Sequence, residues 1–235
     1  MKQIAYLMLA VFLALPLTAV ADDELETESF VSVRAYTVSD ALDYVPLPAN
    51  FMDEIRNYEG FRGYFNLFVD DKIAAVHLWT TEEQALQSNE RAYVVLSEQN
   101  PSLLHHPPRF IVGASAVSFV DVPDDMADEY LHLYASLRIY QGFTDAQADA
   151  YVTLIEQVFQ PLIRETEGVF AYYVIRDSAD TIVTVSIFQE QVRDVAAGYL
   201  SAFLPGSVSV VSGPLRFAVL AGVNDAANLI ELHNP

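Results

Sequence analysis

Phe30-Val31-Ser32-Val33-Arg34-Ala35-Tyr36 and Tyr134-Ala135-Ser136-Leu137-Arg138-Ile139-Tyr140 are two writings of one pattern, aromatic-x-Ser-aliphatic-Arg-x-Tyr. A second block follows it in both halves. Phe51…Ile55-Arg56…Glu59-Gly60…Tyr64 returns as Phe159…Ile163-Arg164…Glu167-Gly168…Tyr172, each pair 108 residues apart. Pro108-Arg109-Phe110 then returns loosely as Pro214-Leu215-Arg216-Phe217. Three blocks in one order read as a duplicated unit.

Periodicity assigns the elements inside each unit. In the opening stretch Val31, Val33 and Ala35 fall on one face and Ser32, Arg34 and Tyr36 on the other, which is a strand. A helix is expected over 49–57, once Pro46 and Pro48 are past. Strands over 61–69 and 73–79 flank an Asp70-Asp71 turn, Thr81-Glu82-Glu83 opens a helix to about Glu98, and 110–119 closes the unit. The second unit repeats the order. A strand alternates over 131–140, and Thr144 caps a helix to about Glu165 with a kink at Pro161. A hairpin over 169–176 and 181–188, a helix over 192–203 and a strand over 215–223 follow. Strand, helix, hairpin, helix, strand is the βαββαβ ferredoxin-like order. The fold class is therefore α+β, with tandem ferredoxin-like units over 30–120 and 128–223, joined through Val122-Pro123-Asp124-Asp125. The tail over 224–235 reads as a short helix or irregular chain.

The first residues read as a leader. Lys2 gives a positive start, the apolar run over 4–15 is too short to span a bilayer, and Ala19-Val20-Ala21 is an A-x-A cleavage site. Residues 1–21 are expected to be removed, leaving a soluble periplasmic or secreted protein. The chain has no cysteine, so disulfides, thiol catalysis and cysteine-metal sites are excluded. The formal net charge is −20, and Lys72 is the last lysine once the leader is gone. Such a surface repels nucleic acid and anionic lipid, which leaves no nucleic-acid or membrane partner to expect. It fits solubility, or adaptation to a salty medium.

Glu59-Gly60-Phe61…Tyr64, then Val76-His77-Leu78-Trp79 before a Thr/Glu-rich helix start, resembles the antibiotic-biosynthesis-monooxygenase-like family. Glu167-Gly168…Tyr172 and Phe188 match the same places in the second unit. Members of that family pair two sheets face to face as a dimeric α+β barrel. A tandem copy implies that one chain builds the barrel internally as a pseudo-dimer, hence a monomer. A sheet with helices on one face needs its other face covered, and the second unit supplies the cover. The Ser/Arg/Tyr faces of the two first strands then either line the space between the sheets or edge a pocket.

The resemblance also bears on chemistry. The haem-degrading branch uses an Asn, a Trp and a His about ten residues beyond the Trp. Trp79 fits that place, but Ser88-Asn89 stand where the His belongs, so the haem ligand is missing and no cofactor is expected. Another branch oxidises aromatic polyketides without metal or flavin, and needs an apolar pocket with a few polar groups to orient and deprotonate a phenol. In the first unit the ligand-binding candidates are Arg34, Tyr36, Tyr64, Asn66 and Trp79; in the second they are His132, Arg138, Tyr140 and Tyr172. His77 is the acid/base candidate because its ordinary pKa lies near neutrality, and Ser186 is its counterpart. His105-His106 read as an exposed loop pair, and the acidic run Asp121…Glu129 as a solvated linker, so no metal site is assigned.

Three functional classes fit these residues. One is a binding module for a small apolar or aromatic molecule in a pocket between sheet and helices. The second is a cofactor-independent monooxygenase using the same pocket, with His77 or an Arg/Tyr pair handling the proton. In the third, the repeated Arg and Tyr serve packing and assembly alone. One scaffold hosts many activities, and all three stay open.

Overall fold

The computed structural model describes residues 29–37, 55, 57–69, 72–99, 101, 108–120, 133–178, 180–189, 207–222 and 225–233. The leader, the linker, the helix expected over 192–203, His105-His106, the acidic run Asp121…Glu129 and His132 lie outside them. Of the helix expected over 49–57, Ile55 is described as helical and buried. In chain order the elements are β1 (Phe30–Thr37), β2 (Phe61–Val69), β3 (Lys72–Trp79), α1 (Glu82–Gln99) and β4 (Arg109–Val120). They continue with β5 (Leu133–Gln141), α2 (Asp145–Leu154), a π-helical stretch (Ile155–Phe159), α3 (Gln160–Arg164), β6 (Val169–Ser178), β7 (Thr181–Gln189), β8 (Ser207–Gly222) and β9 (Asp225–His233).

Eight strands close into an antiparallel barrel in the order β2-β3-β1-β4-β6-β7-β5-β8, with β8 returning to β2. Each quartet has the same internal order, β2-β3-β1-β4 and β6-β7-β5-β8. Equivalent residues also occupy equivalent registers: Ser32 faces His77 across β1–β3, and Ser136 faces Ser186 across β5–β7. Two long strands make the joins. β4 pairs with β1 up to Ala114 and then with β6 from Ser115. β8 pairs with β5 up to Pro214 and then with β2 from Leu215. At the first join a Cβ on Gly113 would stand 2.9 Å from the Arg176 carbonyl oxygen, so only glycine lets the strands approach this closely.

The core has an inside and an outside. Apolar residues of alternating parity from all eight strands, among them Val31, Val33, Phe65, Val76, Ile111, Leu137, Ile175, Val185, Val211 and Leu215, fill the barrel. The opposite faces lie under helices. Tyr64, Ala75 and Trp79 pack with Ile55 and with Ala85 of α1; Tyr140, Tyr172 and Ile182 pack with Ala148 and Tyr151 of α2. The Ser/Arg/Tyr faces therefore point to the helices and not into the space between the sheets. Thr81 and Thr144 start their helices as expected, each exchanging hydrogen bonds with the Gln three residues on. Pro161 has no N–H to give the preceding turn, and the π-helical stretch just before it absorbs the missing bond.

Three expectations need correcting. The third repeat block was misaligned: Phe110 lies opposite Arg34, but the residue opposite Arg138 is Val210, and Pro214 lies opposite Tyr134. The strand expected over 215–223 begins earlier, with Pro214 inside β8 where the strand changes partners and no donor is needed. β8 consequently starts at Ser207 and not at 215. The tail, read as a short helix or irregular chain, forms β9 and extends the sheet antiparallel to β8. A strand with an unpaired edge recruits whatever backbone follows it closely enough.

The glycine turn before each hairpin is built twice. Gly60 and Gly168 have φ of 76° and 85°, and their carbonyls accept from Thr80 (2.9 Å) and Gln189 (2.8 Å). A Cβ on Gly60 would also come 1.9 Å from Gln84 Oε1. Gly60→Ala should therefore cost about 1–3 kcal/mol of stability, read as a lower urea midpoint. An unchanged midpoint would refute the strained turn.

Candidate functional site

Period-two alternation brings Ser32 and Arg34 of β1, Tyr64 and Asn66 of β2, and His77 and Trp79 of β3 onto the sheet face covered by α1. On α1 the buried stripe runs through Ala85, Ser88 and Leu96, so Ser88 is a polar residue at a core position. Arg34, only 2% exposed, is the hub. Its Nε donates to Asn89 Oδ1 (2.9 Å) and its Nη2 to Ser88 Oγ (3.0 Å). Its Nη1 lies 2.9 Å from His77 Nε2. Ser88 Oγ in turn donates to the Ala85 carbonyl (2.6 Å), and it lies 3.3 Å from Ser32 Oγ. The guanidinium also stands 5.7 Å from the centre of the Phe110 ring.

These partners are all neutral. Among the described residues no carboxylate pairs with Arg34, although the chain carries a net charge of −20. Burial lowers the Arg34 pKa from its ordinary 12.5, against the opposing pull of Tyr36 and Tyr64. His77 is pushed well below its ordinary 6.5, first by burial and then by the Arg34 charge, so it is neutral in the fold. The Tyr64 ring meets the imidazole edge-on at 4.6 Å and the Trp79 indole stacks on it at 6.3 Å. Among the described residues, His77 Nδ1 and Trp79 Nε1 are buried without a hydrogen-bond partner. Each such orphan costs about 1–3 kcal/mol, so this face carries unspent hydrogen-bonding capacity beside a buried positive charge.

The expected residues divide accordingly. Arg34, Tyr64, Asn66, His77 and Trp79 come together under α1, with Asn66 Nδ2 donating to the Tyr64 hydroxyl (3.2 Å). Tyr36 lies on the same face of β1 and acts on Arg34 electrostatically. Arg138, Tyr140 and Tyr172 form a separate cluster under α2, where Tyr140 meets Tyr151 at 5.8 Å and Phe119 stacks on Tyr172 at 6.3 Å. There Ser186 replaces the imidazole, and both Ser186 and its cross-strand neighbour Ser136 are buried with their hydroxyls unpartnered among the described residues. Ser32, Ser88 and Asn89 were not among the expected site residues. Their signal was present, because Ser88-Asn89 are the pair that the family resemblance sets against the missing haem ligand.

The fold has known counterparts. It is similar to a provisionally assigned monooxygenase from Fusobacterium nucleatum, with TM-score 0.63 and 8% identity over 89% of this chain and 99% of that one. A provisionally assigned monooxygenase from Lactobacillus acidophilus follows at TM-score 0.58 and 12% identity, covering 87% of this chain and 99% of that one. An anthrone oxidase-like protein is similar at TM-score 0.50 and 12% identity, over 86% and 96%. The chain has the fold of these monooxygenase-like barrels. Each counterpart is matched along nearly its whole length, so the likeness extends to the whole barrel and not to one quartet. No family model matches the chain. Over 127 residues, 50% of its length, the chain is 27% identical to an arginine–tRNA ligase of Chromobacterium violaceum, and it spans 22% of that protein.

A neutral buried imidazole makes stability depend on pH with a definite sign. Unfolded His77 takes up a proton below its ordinary 6.5, while the folded form stays neutral to well below that. The unfolded state binds the extra proton, so stability present above about pH 6.5 falls as the pH drops, by up to about 1.4 kcal/mol per unit. His77→Gln, with nothing to titrate there, should show a shallower loss between about pH 6.5 and 5 in urea melts. Parallel curves for the two proteins would refute the neutral imidazole.

Proposed function

We propose that this chain binds a small aromatic molecule on the face of the first quartet beneath α1. The chain is read as two tandem ferredoxin-like units of the antibiotic-biosynthesis-monooxygenase-like kind, acting as an exported monomer in which the units satisfy each other. One observation carries the binding reading. A buried guanidinium with neutral partners lies against an imidazole that stacks on an indole, and both ring N–H groups lack partners among the described residues. Aromatic walls take a planar ligand, and the donors take its oxygen.

Trp79 is the chain's single tryptophan and is 1% exposed, so its fluorescence reports on the site. A hydroxylated or quinonoid two- or three-ring aromatic should quench or shift it saturably. Arg34→Ala should weaken that binding by about tenfold or more, in keeping with the loss of a charged donor. Native mass spectrometry of the protein exported by its own leader checks both the monomer and any retained molecule. A dimer would overturn the pseudo-dimer reading.

A second reading, cofactor-independent oxygenation of the bound aromatic, draws support from the fold shared with the monooxygenase-like and anthrone oxidase-like proteins. It predicts oxygen uptake when an anthrone is added to the purified protein. Saturable binding without oxygen uptake would leave the binding module. Neither binding nor uptake would leave the packing and assembly role.

A further inference from the structure

His77 was the natural choice for a proton acceptor in the site, yet its surroundings give it another role. A guanidinium offers donors and no acceptor, so the 2.9 Å contact between Arg34 Nη1 and His77 Nε2 requires a bare lone pair on Nε2. A neutral imidazole with a bare Nε2 carries its proton on Nδ1. That nitrogen is buried and has no partner among the described residues, on a residue 2% exposed. The tautomer is held from behind, because Asn89 and Ser88 fix two other edges of the guanidinium. Among the described residues, the charged and titratable groups against the ring are Arg34 of β1 and Tyr64 of β2, while α1 sets its neutral Ser88 and Asn89 against the guanidinium.

We propose that His77 is a fixed hydrogen-bond donor, polarised by Arg34, that receives the carbonyl or phenolate oxygen of the aromatic ligand at Nδ1–H and accepts no proton from it. This rests on the binding reading above and narrows its ligand class. The molecule must present an acceptor oxygen, as quinones and already ionised phenols do. A hydrocarbon, or a neutral phenol waiting for His77 to deprotonate it, does not meet the requirement. The charge of Arg34 reaches the ligand through the imidazole, in the way a positively polarised N–H strengthens any bond it donates. Trp79 Nε1–H, on the same face two residues along β3, is a second donor without a partner among the described residues.

The test uses the full protein with its histidines labelled with 15N. Long-range 1H–15N correlation should show His77 protonated at Nδ1 and bare at Nε2, unchanged from about pH 5.5 to 9. The opposite tautomer, or a titration within that range, overturns the proposal outright. The ligand half is tested with 1,4-naphthoquinone against naphthalene, the same frame with and without acceptor oxygens; the chain has no cysteine for a quinone to alkylate. Naphthoquinone should bind about tenfold tighter and move the Nδ1 resonance. His77→Gln keeps an acceptor for Arg34 but loses Nδ1–H, and should erase that difference. Equal binding of both compounds, with Nδ1 unmoved, overturns this inference and leaves the aromatic-binding reading standing. Binding of neither overturns both.

Discussion

Closure of the sheet is the constraint on which the rest depends. A four-stranded antiparallel sheet has two unsatisfied edges and two faces, and a single helical layer covers one face. Here β4 and β8 each run past the end of their own quartet and pair with the other, Ser115 with Ile175 and Leu67 with Leu215. Those two joins remove the barrel's internal edges and trap the apolar parity of every strand inside. The opposite parity is thereby committed to the helices. Ser32, Arg34 and His77 are buried beneath α1 because their apolar neighbours are buried inside the barrel.

Burying that second face sets different demands in the two halves. Under α2 it is met mostly by aromatic packing of Tyr140, Phe143, Tyr151 and Tyr172. Under α1 it is met by a polar network around one charge. The network is neutral apart from Arg34, so the guanidinium is hydrogen-bonded but not electrically compensated among the described residues. Removing a charge from water costs several kcal/mol even when it is well bonded. A packing role alone would be served as well by an apolar side chain of similar volume.

Much of the fold was legible in the residues because local rules fix it. Period-two alternation gave the faces of β1 and β5, and Thr81 and Thr144 marked the helix starts. Where the reading failed, a local rule was overruled by a distant partner. Pro214 is a strand breaker by composition, but it is tolerated where β8 leaves β5 for β2. The tail carries no strong pattern of its own, and β9 forms because the β8 edge is there to pair with it. His77 read as a base from its ordinary pKa, and only the contact with Arg34 reveals which ring nitrogen holds the proton.

By itself the sequence determined where most of the described strands and helices begin, and which residues share a face. Each of these depends on spacings of a few residues, which local backbone geometry converts directly into structure. Only the tertiary structure decided which face meets the helices and which strands join the quartets. It also decided that Ser88 and Asn89, 54 and 55 residues from Arg34, would complete its hydrogen bonds. Alternation defines two faces but assigns no neighbour to either. A buried charge takes its partners from whatever segment the closed barrel brings against it.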